Sequence, residues 1–283
     1  TLNPKINEEY ALPKIFVFGG STIWGSGAPD DQTIPSELSK LFVNNNDPHI
    51  VYNFGESAYS ITNNIMDLIV NLKNGNIPDK VVFYNGTNLV HQTYSLGDPK
   101  INPYMNIFAQ RMNYGKYNNS SLDHLRLAIH KIFFKHSKII KLLYNLFNKE
   151  SDTLYKSSAI PNQAISETLS DKIIDYYIDC ITVLDNLAKG YGFDIIFIWQ
   201  PTIFTENHVF EIEKSFDQMS NNEQLSDIFI LCNQKLSSVE SKNFYNMTNV
   251  FLNKTEPIFI DFTHITGDGN KIIAEKIYSI LSD

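Results

Sequence analysis

Buried-strand and amphipathic-helix patterns alternate along the first 85 residues of the chain. Residues 15–18 are all apolar, which is typical of a strand buried on both faces of a sheet, and residues 49–54 and 80–84 are short, largely apolar or aromatic segments that predict two more strands. Between them, residues 33–43 and 57–72 carry apolar side chains at helical spacing. A strand-helix-strand-helix-strand order is best satisfied by parallel strands with helices on the faces of the sheet. The sequence therefore predicts an α/β fold with a doubly wound parallel sheet.

The same alternation returns after Pro161 and continues to the end of the chain. It predicts, in order, a helix, a buried strand, a helix, a short strand, an extended segment and a closing helix, at residues 164–189, 193–199, 221–240, 244–247, 257–261 and 267–281. We expect the extended segment to belong to the same sheet. Neither an internal repeat nor a linker is visible, so we predict a single domain over residues 1–283.

A stretch at about 90–160 interrupts the alternation and is interpreted as a helical insertion or lid. Residues 91–119 are polar and aromatic without periodicity, which predicts a long loop. Residues 121–148 have helical spacing, and their polar positions are basic. Such a helix can contact a membrane or cover a site. The favoured interpretation is a helix packed on the domain with a solvated basic face.

Composition excludes several classes of protein. A hydrophobic content of 43% with 13% aromatic residues supports a full core and excludes a mainly disordered chain. A formal net charge of -8 argues against a general nucleic-acid binder. Cys180 and Cys232 are too few for a disulfide framework or a zinc cluster and are expected to be buried thiols. The chain begins at Thr1 without a methionine or a signal-like segment, so we expect a trimmed or processed start. The sequence leaves the compartment open, with an extracytoplasmic or envelope-associated location favoured.

Gly19 and Gly20 end the first predicted strand, and Ser21 lies at the turn that follows them. Open α/β sheets place their chemistry at the carboxyl ends of strands. A serine hydroxyl becomes a good nucleophile only when a base takes its proton and a third group orients that base. Ser21 is therefore a candidate nucleophile that requires a histidine and a carboxylate from elsewhere in the chain.

One of the seven histidines has a carboxylate in a suitable position. Asp261 precedes His264 by three residues, just before the closing helix, so the carboxylate can fold back onto one ring nitrogen and leave the other facing outward. His91 follows the third predicted strand closely, but the sequence shows no obvious carboxylate to orient it. The remaining histidines lie in the basic insertion or lack a nearby carboxylate, namely His49, His124, His130, His136 and His208.

Two further strand ends offer donors for an oxyanion, which acyl transfer requires. Gly55 follows the second predicted strand and offers a backbone N–H that no side chain obstructs. Asn88 follows the third predicted strand and offers a side-chain amide. Each could equally be an ordinary turn residue in an asparagine-rich chain. Taken together with Ser21 and His264, they fall in order at strand ends expected on one edge of the sheet.

These four positions resemble the blocks of the SGNH hydrolase superfamily, also called GDSL-type esterases. The matching segments are residues 18–22, 53–55, 86–88 and 261–264, and they span nearly the whole chain. The resemblance implies a flavodoxin-like three-layer α/β/α sandwich with a five-stranded parallel sheet. It also implies that Ser21 is the nucleophile, His264 the base and Asp261 its orienting acid. The implied oxyanion donors are the N–H groups of Ser21 and Gly55 and the Asn88 amide.

The chain departs from the family pattern at two positions. Gly20 stands where an acid often precedes the serine, and Leu89 stands where an acid often follows the asparagine. Neither change removes a proton-transfer group, so we expect altered local support with catalysis retained. Residues 20–25 also match the glycine spacing of a phosphate loop, but no lysine follows. No metal-ligand spacing is present, and the implied mechanism requires neither a metal nor a cofactor.

The expected activity is a serine esterase that removes acyl groups, most plausibly acetyl, from a glycan or a similar small polar substrate. Aromatic and amide side chains near the site suit sugar binding, namely Trp24, Tyr59, Tyr84 and Asn85. An O-acyltransferase would use the same triad, because water and a sugar hydroxyl compete for one acyl-enzyme. A lipid esterase and a non-catalytic glycan-binding domain are further alternatives. Nucleic acid is not an expected partner.

Overall fold

The computed structural model describes residues 12–101, 163–205, 222–239 and 241–282. Within these ranges, five parallel strands form one sheet: β1 (Lys14–Gly19), β2 (Ile50–Gly55), β3 (Lys80–Asn85), β4 (Asp194–Trp199) and β5 (Phe244–Asn246). Their spatial order is β2-β1-β3-β4-β5. β2 is added on one side of β1 and β3 on the other, so the strand order changes direction at β1. Open α/β sheets bind ligands at such a topological switch point.

Helices follow the strands along the described chain. They are α1 (Ser21–Trp24), α2 (Ile34–Asn44), α3 (Ile61–Lys73), α4 (Thr87–Leu96), α5 (Gln163–Tyr191), α6 (Glu223–Leu236) and α7 (Gly267–Ser282), with short 3-10 turns at Asp30–Gln32 and Ile203–Thr205. None of the helices in the described ranges is long and apolar enough to cross a bilayer. The helix predicted over 121–148 lies outside the described residues.

Two hydrophobic cores cover the two faces of the sheet. Alternate side chains of β1 point to opposite faces, so that Phe16 and Phe18 join one core while Ile15 and Val17 join the other. The first core is closed by α3, α4, α5 and α6, and the second by α2 and α7. This arrangement confirms the predicted flavodoxin-like three-layer α/β/α sandwich. Cys180 and Cys232 are buried free thiols, as predicted.

The carboxyl ends of the strands lie level along one edge of the sheet. Gly19 at the end of β1 pairs with Gly55 of β2 and with Tyr84 of β3. Trp199 at the end of β4 pairs with Asn85 of β3. The segments that follow these strands therefore all begin at the same edge of the sheet, and Ser21 lies in the segment after β1, between β2 and β3 in the strand order.

Two predicted elements differ from the structure. Residues 91–96 belong to helix α4, so the prediction of a loop from residue 91 is wrong over this part; the helix is held by the buried side chains of Leu89, Val90 and Thr93. Residues 257–261 are not a strand of the sheet. Phe259 instead forms an isolated antiparallel bridge with Ile265, which closes a loop upon itself.

Candidate active site

Ser21 is the first residue of α1, two residues after the end of β1. Gly20 caps the helix in an extended conformation, and its carbonyl accepts from the N–H groups of Ile23 and Trp24. The first N–H groups of a helix have no partner within the helix. The Ser21 N–H is therefore available beside its own hydroxyl, and the Ser21 side chain is partly exposed.

Ser21, His264 and Asp261 form a continuous chain of hydrogen bonds. The Ser21 Oγ lies 2.7 Å from the Nε2 of His264. The Nδ1 of the same ring lies 2.5 Å from the Oδ2 of Asp261. Because an ionised carboxylate can only accept, the proton on this ring belongs on Nδ1, and Nε2 is left to accept from the serine hydroxyl. The sequence pattern around Asp261 and His264 thus reaches Ser21 at hydrogen-bond distance.

The Asp261 carboxylate is supported from both of its oxygens. Its Oδ1 accepts from the backbone N–H groups of Thr263, at 2.8 Å, and His264, at 2.7 Å. Burial acts to raise the pKa of Asp261, but the bonds from the His264 ring and the two N–H groups outweigh it, and the pKa lies below its ordinary value. Asp261 is consequently ionised at neutral pH and can hold the imidazole in one tautomer.

The loop that carries Asp261 and His264 is closed by its own backbone. The Ile260 N–H donates to the His264 carbonyl at 2.9 Å, and the Thr266 N–H donates to the Ile258 carbonyl at 2.9 Å. Residues 258–266 therefore form a closed loop, which we call the acid–base loop. It is joined to the segment after β4 by the Ile203 N–H, which donates to the Phe262 carbonyl at 3.0 Å.

Asn88 lies directly against the backbone that precedes the nucleophile. Its Nδ2 donates to the Tyr59 carbonyl at 2.8 Å. A Cβ added to Gly20 would lie 2.3 Å from the same Nδ2, a distance that atoms do not tolerate. The amide thus fills the space that a side chain at position 20 would need. This contact gives a physical reason for the glycine that stands in place of the acid in the family pattern.

The N–H of Gly55 has a partner within the fold. It donates to the Asn53 Oδ1 at 2.9 Å, while the Asn53 Nδ2 donates to the Ile23 carbonyl at 2.9 Å. A Cβ on Gly55 would lie 2.2 Å from the Trp24 nitrogen, so only glycine allows β2 to approach α1 this closely. Gly55 can donate to an oxyanion only by sharing the hydrogen that Asn53 accepts.

The side chains predicted to contact substrate divide into two groups. Trp24 is 56% exposed and Tyr59 is partly buried, so both reach the surface. Asn85 is only 3% exposed, and its Nδ2 donates to the Oδ1 of Asn64 at 2.9 Å. Tyr84 is 1% exposed. The predicted substrate contacts of Asn85 and Tyr84 are therefore not supported, because both side chains lie inside the fold.

Sequence reasoning missed several polar residues that support the site. Asn64 is fully buried, and its Nδ2 donates to the Gly19 carbonyl at the end of β1. The sequence indicated that the Asn64 side chain is buried, because Asn64 lies three residues after Ile61 and four before Leu68, on the apolar face of α3. An amide on such a face requires a buried partner. Asn53 and Thr263 carried no comparable signal.

Comparison with protein-family models and with curated proteins finds no match. Solved structures of similar topology include an acetyl xylan esterase named AlAXEase, with 15% identity, 94% of this chain and 98% of that chain covered, and a TM-score of 0.49. An acetylxylan esterase from Geobacillus stearothermophilus has 14% identity, coverage of 96% and 94%, and a TM-score of 0.45. A lipolytic protein of the G-D-S-L family from Veillonella parvula has 12% identity, coverage of 95% and 98%, and a TM-score of 0.47.

These solved structures include proteins of the class that the four sequence blocks resemble. At identities of 15% or less and TM-scores below 0.5, these structures give no information about the substrate or the catalytic residues of this chain. What the chain can do therefore has to be inferred from its own site.

Proposed function

We propose that this protein is a serine ester hydrolase of the SGNH type, with Ser21 as nucleophile, His264 as general base and Asp261 as the group that orients the base. The observation that carries this proposal is the unbroken contact from Ser21 Oγ through both nitrogens of His264 to the Asp261 carboxylate. A nucleophile, a base and an orienting acid in hydrogen-bond reach define the machinery of acyl transfer on many unrelated folds.

In the first half of the reaction, Ser21 Oγ bonds to the carbonyl carbon of the ester as its proton passes to His264 Nε2. The tetrahedral intermediate then collapses, the bond to the alcohol oxygen breaks, and the imidazolium returns the proton to the departing alcohol. In the second half, water attacks the acyl-enzyme with the same base, releasing the carboxylic acid and restoring the serine. Asp261 remains ionised throughout and stabilises the imidazolium.

The oxyanion of the intermediate would be met by the Ser21 N–H and the Asn88 amide. The Ser21 N–H has no acceptor within α1, and the Asn88 Nδ2 carries a second hydrogen besides the one donated to Tyr59. Gly55 remains a third donor only if it shares its hydrogen with Asn53. Removing one such donor from an enzyme of this kind costs about 100- to 1000-fold in kcat.

For the substrate, we propose an acetyl ester of a carbohydrate. The supporting feature is Trp24, which lies three residues after Ser21 on the same face of α1 and is 56% exposed. A large exposed aromatic ring beside a nucleophile is suited to stacking against a sugar face. Transfer of the acyl group to a sugar hydroxyl would use the same acyl-enzyme, with the sugar taking the place of water.

Hydrolysis of an aryl acetate tests the assignment of the triad. Ser21→Ala and His264→Ala should each lower kcat by at least about 10000-fold, because the members of a triad act as a unit. Thermal unfolding and far-UV circular dichroism should show that both variants keep the fold. The control is Thr248→Val, which removes a buried hydroxyl that bonds to Asn233 and Asn246. Undiminished hydrolysis by a folded Ser21→Ala variant would refute the assignment.

A competition experiment addresses the acyl acceptor and the sugar. Aryl acetate is incubated with and without oligosaccharide acceptors, and mass spectrometry follows free acetate against acetylated sugar. Free acetate alone supports the hydrolase, whereas acceptor-dependent transfer supports the acyltransferase. Trp24→Ala should raise KM for an acetylated oligosaccharide and leave KM for aryl acetate within about twofold, since stacking on an aromatic ring is worth about 1 kcal/mol or more. An equal effect on both substrates would contradict the carbohydrate proposal.

A further inference from the structure

Thr263, the residue between the oriented acid and the base, is tied into a buried polar cluster. Its Oγ1 accepts from the Nε2 of Gln200 at 2.8 Å and lies 3.0 Å from the Oγ1 of Thr87. All three side chains are buried, with at most 5% of their surface exposed. A satisfied polar cluster in a low-dielectric interior holds its members in one arrangement. We call Thr87, Gln200 and Thr263 the anchoring cluster.

The two partners of Thr263 come from the rigid edge of the sheet. Thr87 is the first residue of α4, two residues after the end of β3. Gln200 follows β4 directly, and its N–H donates to the Asn85 carbonyl of β3 at 2.9 Å. Both side chains are thus fixed relative to the strands. Thr263 in turn donates its N–H to the Asp261 Oδ1, so the cluster acts on the carboxylate through a single residue.

The acid–base loop needs such a tie because it is not part of the sheet. Its own closure, through the bridge between Phe259 and Ile265, fixes the shape of the loop, and the bond from the Ile203 N–H to the Phe262 carbonyl joins it to the segment after β4. The anchoring cluster adds side-chain bonds at Thr263, the residue directly before His264. The distance of the loop from Ser21 depends on these attachments. That distance must be reproduced closely, since a displacement of about 1 Å in an active site can lower the rate about 100-fold.

We propose that Gln200 and Thr87 are positioning residues that act through Thr263 to hold Asp261 and His264 at working distance from Ser21. The inference rests on the proposed function and adds to it the residues that set the geometry of the triad. The competing interpretation is that the cluster contributes only to the stability of the fold, as buried hydrogen bonds generally do. The two interpretations differ in whether the folded enzyme is slower.

Thr263→Val tests the proposal, because valine fills nearly the same volume and lacks the hydroxyl. We expect kcat for aryl acetate to fall about 10- to 100-fold with KM within twofold, since substrate binding does not involve this side chain. In the same variant, the rate at which a fluorophosphonate modifies Ser21 should fall in parallel with kcat. This rate is measured well below the unfolding temperature of the variant. Thr263→Ser restores a hydroxyl and should return kcat to within about threefold of the wild type.

Gln200→Met and Thr87→Val each remove one of the two hydrogen-bond partners of Thr263. If Thr263→Val fails to fold, these two variants supply the comparison of kcat with the wild type. Gln200→Met combined with Thr263→Val should be no slower than Thr263→Val alone, because the bond that Gln200→Met removes is already absent in Thr263→Val. Thr248→Val is the matched control, as it also removes a buried threonine hydroxyl with two side-chain partners. Its kcat should equal that of the wild type.

The outcomes separate this inference from the proposed function. A Ser21→Ala variant with full activity in the same assay would refute the proposed function itself. If Ser21→Ala is inactive and the folded Thr263→Val, Gln200→Met and Thr87→Val variants keep kcat within twofold, the cluster is only structural and the positioning proposal is overturned. A loss of kcat in Thr263→Val that is not recovered in Thr263→Ser would also overturn the positioning proposal.

Discussion

Replacing Gly20 with alanine should damage catalysis far more than it damages the fold. The backbone at Gly20 is extended, with φ -89° and ψ -153°, and so lies outside the positive-φ region that favours glycine. The penalty therefore comes from the new methyl group, which would lie 2.3 Å from the Nδ2 of Asn88 and 3.3 Å from the Tyr59 carbonyl. The nearer atom is the end of a side chain, so the least costly response is movement of the Asn88 amide.

The size of the two effects follows from which atoms must move. Inserting a methyl group into a packed site costs about 1–3 kcal/mol, and a displaceable neighbour places Gly20→Ala near the lower value. Each kcal/mol corresponds to about 2–4 °C in Tm for a protein somewhat smaller than this one, so Tm should fall by only a few degrees. An amide pushed away from Ser21 no longer meets the oxyanion, and kcat should fall about 100-fold or more.

The assay is aryl acetate hydrolysis measured beside thermal unfolding, with two further variants. Gly190→Ala adds a methyl group that meets no atom within 4 Å and should leave kcat unchanged. In Asn88→Ala the atom that collides is absent, so adding Gly20→Ala to it should cause no further loss of kcat. The reasoning is refuted if Gly20→Ala keeps kcat within twofold, or if the two changes multiply in the double variant.

Three further outcomes are expected from the same contacts. Asp261→Asn should lower kcat about 10000-fold with the fold intact, because an amide does not hold His264 in the required tautomer; steady-state kinetics would show it, and a loss below tenfold would contradict it. The pKa of Asp261 lies below its ordinary 3.8, so its stabilising effect is complete above pH 3.8 and is lost as the pH falls further. Acid unfolding of the wild type should consequently be steeper than that of Asp261→Asn, and parallel curves would show that the carboxylate adds no stability. Burial raises the pKa of Cys180 to about 11 and also raises that of Cys232, so both thiols should react with maleimide far more slowly in the native protein than in denaturant; fast native labelling would contradict their burial.

The layer architecture was predictable because strand and helix leave periodic patterns in the sequence. Residues 15–18 and 81–84 are uniformly apolar or aromatic, as strands covered on both faces must be. Helix α4 was not found from residue 91 onward, since its buried side is narrow and includes Thr93, whose hydroxyl is satisfied by the Leu89 carbonyl. A polar residue facing the core removes the apolar signal on which the prediction depends.

The site was predictable to the extent that its chemistry requires particular residue types. A nucleophilic serine needs a base and an acid, and only Asp261 with His264 offered that pair at a useful spacing. The occupation of the Gly55 N–H by Asn53 could not be foreseen, because it depends on which rotamer an ordinary turn asparagine adopts. The contact between Gln200 and Thr263 joins residues 63 positions apart and has no pattern in the sequence.

The position of the acid–base loop outside the sheet is what makes these long-range contacts necessary. Ser21 lies two residues after β1, which pairs with a strand on each side, whereas His264 lies in a loop that is not a strand of the sheet. The loop is therefore held at the sheet edge by contacts from outside the sheet, namely the backbone bond from Ile203 to Phe262 and the side-chain bonds of Thr263. Through these side-chain bonds Thr263 meets residues that follow β3 and β4. A change at Thr263 thus alters the distance between base and nucleophile without touching either, which is why its effect should appear in kcat and not in KM.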